Sequence, residues 1–330
     1  MAYFPVIAST LSAAHLATFI QENYSFTSTP TCKLIRTGIN HTYLVATAET
    51  KFVLRVYSYL WRTEIEITEE LRFLNCLKEN KINVSYPMRD KRGDYIQMLP
   101  APEGIRYAVL FSFAAGKKIR NLSAETCTNI GLLMARMHRV TLNQKVERIN
   151  YTAYTLTHLP YTYALAHFPE YLPEMQFLQN AKKSLTLLFD EVDIHTIRTG
   201  IVHLDMWYDN MNIQDEATIT LFDFDFCGNG WLLLDIAYFV MQLLNTEPDK
   251  EIYKAKLQSF YNGYQEVTPI SDEEKRLLPY AGLAIWIFYL GVQCQRFNNW
   301  SNIFLTENYL KHYISMVKNW MQFNDIEFSN

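Results

Sequence analysis

Gly200-Ile-Val-His203-Leu-Asp205-Met-Trp-Tyr-Asp-Asn210 and, a little further on, Leu221-Phe-Asp223-Phe-Asp225-Phe-Cys-Gly-Asn-Gly230 are the stretches on which the reading of this chain turns. The first contains His203-x-Asp205-x4-Asn210, and the second carries two acidic residues separated by one phenylalanine. Between them Met211 to Ile213 and Thr218 to Phe222 flank a polar turn at Gln214 to Glu216, the signal of a tight hairpin. Such a hairpin folds Asp223 back beside Asn210. One loop region then presents a carboxylate, an amide and a second carboxylate together.

Phosphoryl transfer uses this set. An Asp accepts or orients the proton of the attacking hydroxyl, while an Asn and another Asp hold Mg²⁺ against the phosphates of ATP. Oxygen ligands of this kind suit Mg²⁺, which keeps several waters and rarely has an all-protein cage. On this reading Asp205 is the catalytic group, Asn210 and Asp223 are the metal ligands, and Asp225 is a candidate second ligand because alternate residues of an extended chain face the same way.

The rest of the chain narrows the alternatives. With 330 residues, 49% hydrophobic and 19% charged, it should fold around a sizeable core, and at this length it should form two lobes. The balance of 30 Lys+Arg against 34 Asp+Glu offers no basic excess for a nucleic acid. The longest apolar run, Ala281 to Val292, is too short to span a bilayer and reads as a buried helix. No Lys or Arg precedes Lys33, so the basic start of a signal peptide is not expected, and the five cysteines form no CxxC. A cytoplasmic location with reduced thiols is therefore expected. The 11 glycines include no GxGxxG and no GxxxxGK[ST], so phosphate must be held by another kind of cradle.

Periodicity predicts a helix near Ser9 to Gln21, a Ser/Thr/Pro stretch at Ser25 to Thr31, and a hairpin from Thr42–Ala46 and Lys51–Tyr57. In its second strand Phe52, Leu54 and Val56 share one face, and Val53, Arg55 and Tyr57 the other. A helix follows over Thr63 to Asn80, with Ile67, Leu71, Leu74 and Leu77 on its apolar side. Strands at Tyr95–Leu99 and Arg106–Phe113 come next, with Pro100, Pro102 and Gly104 marking the turn between them. Beyond Gly116 the pattern is helical: from Ser123 to Arg139, then Leu234–Leu244, Lys250–Gln265, Asp272–Gln293 and Glu307–Phe323, with a Tyr-rich, irregular region at 141–198. The expected class is α+β and bilobal: residues 1–112 form a small strand-rich lobe and 113–330 a larger, mostly helical one, meeting along a cleft near 110–116.

In these motifs the sequence resembles the aminoglycoside phosphotransferase-like kinases, a group that includes choline and homoserine kinase-type enzymes and shares the protein-kinase fold. The catalytic loop of that group reads HGDxxxxN. Here His203-Leu204-Asp205 and Asn210 match it with Leu in place of Gly, and Asp235-Ile-Ala resembles a further element of the group. Gly38-Ile-Asn40 is similar to its nucleotide-loop motif, and Gly131-Leu-Leu-Met-Ala-Arg-Met-His138 to its LGxxLAxLH helix. Arg55 stands at the phosphate-contacting strand position, where Lys is usual, and Glu70 at its helical partner; Glu66, one turn earlier, is an alternative partner.

The resemblance implies an ATP- and Mg²⁺-dependent kinase acting on a small hydroxylated acceptor, with no nucleic-acid or membrane partner and no particular oligomeric state. The acceptor is a metabolic alcohol of homoserine or choline type, or an aminoglycoside. Arg55 with Glu70, and Gly38 with Asn40, would serve the phosphates. Adenine would lie against Leu110, Phe111 and Ser112, and His203 and Asp235 would support the loop. His138 reads as a core histidine. The aromatic residues Tyr151, Tyr154, Tyr161, Tyr163, Tyr171, Trp286, Tyr289 and Trp300 read as helical core, with a cage for a cationic acceptor as the alternative. A Ser/Thr protein acceptor is a second reading. A nucleotide-binding module without catalysis is a third, supported only by Leu204 and Arg55.

Overall fold

A computed structural model describes residues 4–296 and 304–328. The chain divides into two compact units, one reaching to Ala115 and including Thr220–Phe222, the other built from Gly116–Ile219 and the chain from Asp223 onward.

The first unit is strand-rich. Among the described residues five strands, β1 (Thr31–Thr37), β2 (His41–Ala46), β3 (Lys51–Val56), β4 (Ile96–Ala101) and β5 (Gly104–Ser112), form an antiparallel sheet in the order β1-β2-β3-β5-β4. The alternation expected of β3 is present. Leu54 and Val56 join Tyr43, Val45, Ala108 and Leu110 in a core closed by Leu16 and Ile20 of helix α1 (Ala13–Asn23) and by Tyr24, which caps its C-terminus. Helix α2 (Glu64–Glu79) is started by a capping box of Thr63 and Glu66. It buries Ile67, Leu71, Leu74 and Leu77, as their spacing predicts.

Two readings differ here. Helix α1 begins at Ser12 rather than Ser9, because the Ser9 N–H and hydroxyl bond the Glu103 carboxylate at 3.1 and 2.7 Å. Strand β1 falls where no strand was expected. It lies at the sheet edge and turns only Cys32 and Leu34 toward the core, between exposed Thr31, Lys33 and Ile35, so its apolar alternation is too short to mark it in the sequence.

The second unit is mainly helical. Helix α3 (Ala124–Thr141), capped by the Ser123 side chain, packs on α7 (Lys250–Gln265) at two glycines. A Cβ on Gly131 would lie 2.1 Å from the Phe260 carbonyl oxygen, and one on Gly263 would lie 2.0 Å from that of Thr128. The two backbones therefore touch there. The Tyr-rich region folds as a π-helical turn (Tyr154–His158), α4 (Leu159–Leu165) and α5 (Pro173–Asp190), so it is more regular than its composition suggests.

Helix α8 (Asp272–Gln295) runs for 24 residues, longer than the apolar stretch inside it. By length and composition it could cross a bilayer, yet most of its apolar window is buried inside the protein, where it packs on α4 (Leu159–Leu165) and α6 (Leu233–Thr246). Helix α9 (Glu307–Phe323) follows it.

Two short ladders frame the quoted stretches. β6 (Thr199–Val202) pairs antiparallel with β9 (Gly228–Trp231), with Val202 opposite Gly228. The chain entering at His203 and the chain leaving at Cys227 therefore lie side by side. Between them β7 (Met211–Gln214) and β8 (Thr218–Leu221) form the expected hairpin.

Candidate active site

The loop after β6 is shaped by one carboxylate. Asp235, in the first turn of α6, accepts the His203 N–H on Oδ2 at 2.9 Å and the Leu204 N–H on Oδ1 at 2.6 Å. Two consecutive amides converge on one side chain because Leu204 adopts a left-handed φ of 61°. That conformation suits Gly and strains Leu. The Leu204 side chain is nevertheless completely buried, so apolar packing offsets the backbone cost. His203, also buried, accepts the Asp205 N–H on Nδ1 at 3.2 Å and packs its ring on Phe224. These are structural tasks.

Asp235 is itself anchored. His138 Nε2 lies 3.1 Å from Asp235 Oδ2, and His138 Nδ1 lies 2.7 Å from the Tyr264 hydroxyl. A carboxylate only accepts, so Nε2 carries the proton of that bond. Arg198 places its guanidinium 5.6 Å from the centre of the Tyr264 ring and forks onto Glu274 with two contacts of 2.8 Å. The core histidine thus belongs to a chain of contacts that ends on the loop.

Asp205 is held at both carboxylate oxygens. Asn210 Nδ2 donates to Oδ2 at 2.6 Å and to the Asp205 carbonyl at 3.1 Å, while the Tyr238 hydroxyl donates to Oδ1. The Tyr289 hydroxyl donates to the Leu204 carbonyl at 2.9 Å. Burial pushes the Asp205 carboxyl up to about 8, and the nearby Asp223 charge adds to this; hydrogen bonds from Tyr238, Tyr289 and Asn210 pull the other way. Asp223 follows β8 with a left-handed φ of 65° and is close enough to feel the Asp205 charge. Two carboxylates and an amide therefore converge, as the hairpin predicted.

This donor set suits a hard divalent cation: oxygen ligands, a repulsion that a cation would relieve, and too few protein groups for a closed cage. Among the described residues no group of three or more His, Cys, Asp or Glu side chains is disposed to hold a metal by itself.

Residues 222–227 lie outside any strand, and the left-handed Asp223 breaks the alternation from which a shared facing of Asp223 and Asp225 was expected. Asp225 is buried, and its carbonyl accepts from Arg148. Arg148 Nε also donates to the Cys227 carbonyl at 2.8 Å, and the Tyr151 hydroxyl to that of Phe226. Lys118 Nζ meets Asp209 Oδ1 at 2.6 Å, one residue before Asn210.

In the first unit Arg55 NH1 lies 2.6 Å from Glu70 Oε1, and the Tyr57 hydroxyl donates to Glu70 Oε2 at 3.1 Å. Glu70 is completely buried, and the Arg55 guanidinium stacks 5.1 Å from the centre of the Phe111 ring. Glu66 is the partner of Arg62 and of the Thr63 cap instead.

Gly38 and Asn40 serve a turn. The Gly38 N–H bonds the Asn40 carbonyl at 3.3 Å, and Asn40 Oδ1 accepts the Ser58 N–H at 3.2 Å. The segment expected to lie against adenine is tied to the chain at 85–88. Leu110 lies in the core, and its carbonyl accepts the Met88 N–H at 2.8 Å. Ser112 exchanges backbone and hydroxyl bonds with Ser85 and Tyr86. Phe111 is the face on which Arg55 rests.

The aromatic residues do not form one cage. Tyr154 and Tyr171 are exposed, Tyr161 bonds Glu170, Trp286 packs on Tyr313, and Trp300 lies outside the described residues. A different cluster backs Asp205: Tyr238 and Phe226 pack on Tyr289, which in turn meets Phe288. Sequence reasoning missed Tyr238, Tyr264 and Arg148, and read Tyr289 as helical core without its bond to the Leu204 carbonyl. The one available signal was the spacing of Asp235 and Tyr238, three apart on one helix face.

A strand-rich unit holding a buried Arg–Glu pair and a helical unit holding an Asp–Asn–Asp loop define a phosphotransferase with a protein-kinase-like fold. The chain belongs to the APH phosphotransferase enzyme family, whose model matches residues 31–270. It is 30% identical over 310 residues to an uncharacterized protein of a Synechocystis strain, covering 91% of this chain and 83% of that one. It is 26% identical to a homoserine kinase of Methylobacillus glycogenes, covering 77% of each chain. Among solved structures it is similar to an amicoumacin kinase in complex with AMP-PNP, Ca²⁺ and Ami, with a TM-score of 0.77, 18% identity and 94% of each chain covered. The protein is thus an ATP-dependent phosphotransferase.

Proposed function

We propose that the protein transfers the γ-phosphoryl group of ATP to the hydroxyl of a small metabolic alcohol, with Mg²⁺ as the divalent cation. The observation that carries this reading is the Asp205 carboxylate, held at one oxygen by Asn210 and electrostatically coupled to Asp223. Asp205 takes the proton of the acceptor hydroxyl. Asn210 and Asp223 hold the cation, which when bound neutralises charge on the phosphates. In the first unit Arg55, braced by Glu70, binds the α- and β-phosphates. A guanidinium serves as well as the usual ammonium there, because it presents a planar fork of donors to phosphate oxygens.

Two observations favour a compact acceptor. Relatives that the chain matches over most of its length include homoserine kinases. The groups packed behind Asp205 are phenols and phenyl rings rather than the carboxylates a polycationic drug would need. The test is ATP turnover and thermal shift across hydroxylated metabolites, including L-homoserine, choline, sugars and aminoglycosides, for wild type and Asp205→Asn. Near wild-type turnover in Asp205→Asn would sink the assignment. Turnover confined to aminoglycosides, or label from ATP appearing in protein bands of a lysate, would replace the acceptor class.

A further inference from the structure

Asp205 is gripped from two directions, and one grip comes from outside its own loop. Tyr238 stands on α6 three residues after Asp235, so both side chains leave one face of that helix. Asp235 takes the N–H groups of His203 and Leu204 at 2.9 and 2.6 Å, and the Tyr238 hydroxyl donates to Asp205 Oδ1. One helical turn thereby holds three consecutive loop residues. From within the loop, Asn210 Nδ2 holds the other oxygen, Oδ2, at 2.6 Å. Tyr238 is braced in turn: its ring centre lies 5.3 Å from that of Tyr289, whose hydroxyl bonds the Leu204 carbonyl at 2.9 Å. Burial holds the Tyr238 phenol well above its ordinary pKa, so it remains an O–H donor.

The terminal torsion of an aspartate is soft and broad. With one donor fixed on each oxygen, rotation of this carboxylate breaks two hydrogen bonds. We propose that Tyr238 is a positioning residue for phosphoryl transfer, fixing the plane of the Asp205 carboxylate so that a remaining lone pair meets the acceptor hydroxyl. The inference rests on the role given to Asp205 above. A misaligned base loses rate, because proton transfer requires hydrogen-bond reach and direction. Nucleotide affinity does not depend on that alignment and should not move.

The experiment compares wild type, Tyr238→Phe, Asp205→Asn and the double variant, with Mg-ATP plus L-homoserine and with Mg-ATP alone, where water is the acceptor. Tyr313→Phe is the control for a lost buried phenol bond, since its hydroxyl bonds the Trp286 carbonyl. Tyr238→Phe should lower kcat about tenfold while KM for ATP stays within about twofold. In the Asp205→Asn background the same change should have almost no further effect, because Tyr238 acts through that carboxylate. Tyr313→Phe should lower the melting temperature without changing kcat.

The proposal is overturned by wild-type kcat in Tyr238→Phe, by a change confined to KM for ATP, by an equal loss in Tyr313→Phe, or by a full additional loss in the double variant. Active Tyr238→Phe beside dead Asp205→Asn would sink the positioning role alone. Active Asp205→Asn, or no ATP consumption by wild type, would sink the functional reading and this inference with it.

Discussion

His138 Nε2 lies 3.1 Å from Asp235 Oδ2, and that one carboxylate also receives the N–H groups of His203 and Leu204. A histidine outside the catalytic loop thus orients the group that folds it. Removing the imidazole leaves a buried carboxylate one hydrogen bond short, which costs about 1–3 kcal/mol. His138→Ala should lose stability on that scale in urea denaturation, and Tyr264 loses its partner as well. Activity of the surviving folded fraction should fall with loop order. A loss under about 1 kcal/mol would show that Asp235 needs no anchor.

Leu204 sets two terms against each other. Its left-handed φ of 61° costs about 1–2 kcal/mol, whereas removing a buried Leu side chain costs about 2–5. Packing wins, so Leu204→Gly should be less stable than wild type. It should also be at least as stable as Leu204→Ala, which loses the packing and keeps the strain. Elsewhere Gly is about 0.5–1 kcal/mol worse than Ala. The usual order in thermal melts would refute the strained conformation.

Arg55 and Glu70 can be separated by charge and by shape. Arg55→Lys keeps the charge and loses the fork and the stacking on Phe111, so stability should drop by about 1 kcal/mol. KM for ATP should rise several-fold with kcat nearly unchanged, since the phosphates are held in both ground and transition states. Arg55→Met leaves the fully buried Glu70 without its cation and should cost about 3–5 kcal/mol. Unaltered KM in both variants would remove Arg55 from the nucleotide site.

The Asp205 carboxyl gives a pH signature in protein freed of nucleotide and divalent cations. Its pKa is pushed up to about 8, so between about pH 4 and 8 the folded chain keeps a proton that the unfolded chain has released. The folded state then binds more protons, and stability falls as pH rises through that window. Asp205→Asn removes the effect. Its stability relative to wild type should increase between pH 5 and pH 8, by about 1–3 kcal/mol. A constant difference across that range would contradict the raised value.

The catalytic stretch was legible because its chemistry sits in one contiguous segment whose hairpin follows from the turn at Gln214 to Glu216. The Arg55–Glu70 pair was legible through the resemblance alone, which places Arg55 at the phosphate-contacting strand position and Glu70 at its helical partner; the structure brings the two together at 2.6 Å. Other parts were hidden for physical reasons. Tyr238, Tyr289 and Tyr264 reach the loop network from helices whose mutual packing no local pattern encodes. Strand β1 turns only Cys32 and Leu34 toward the core, too short a run to stand out in the sequence. The two-residue period expected from Asp223 to Asp225 fails because a single residue, Asp223, is left-handed.

The backbone contact of α3 and α7 has a mechanical meaning for the loop. His138 sits two turns beyond Gly131, and Tyr264 follows Gly263 directly, so the crossing acts as a spacer of fixed thickness beneath the His138–Tyr264 bond. Two absent methyl groups gauge how far that bond must reach, and through Asp235 they gauge where Leu204 and Asp205 come to rest. A methyl added at Gly263 would be a shim in a linkage, displacing the far end of the chain of contacts without touching the reacting groups.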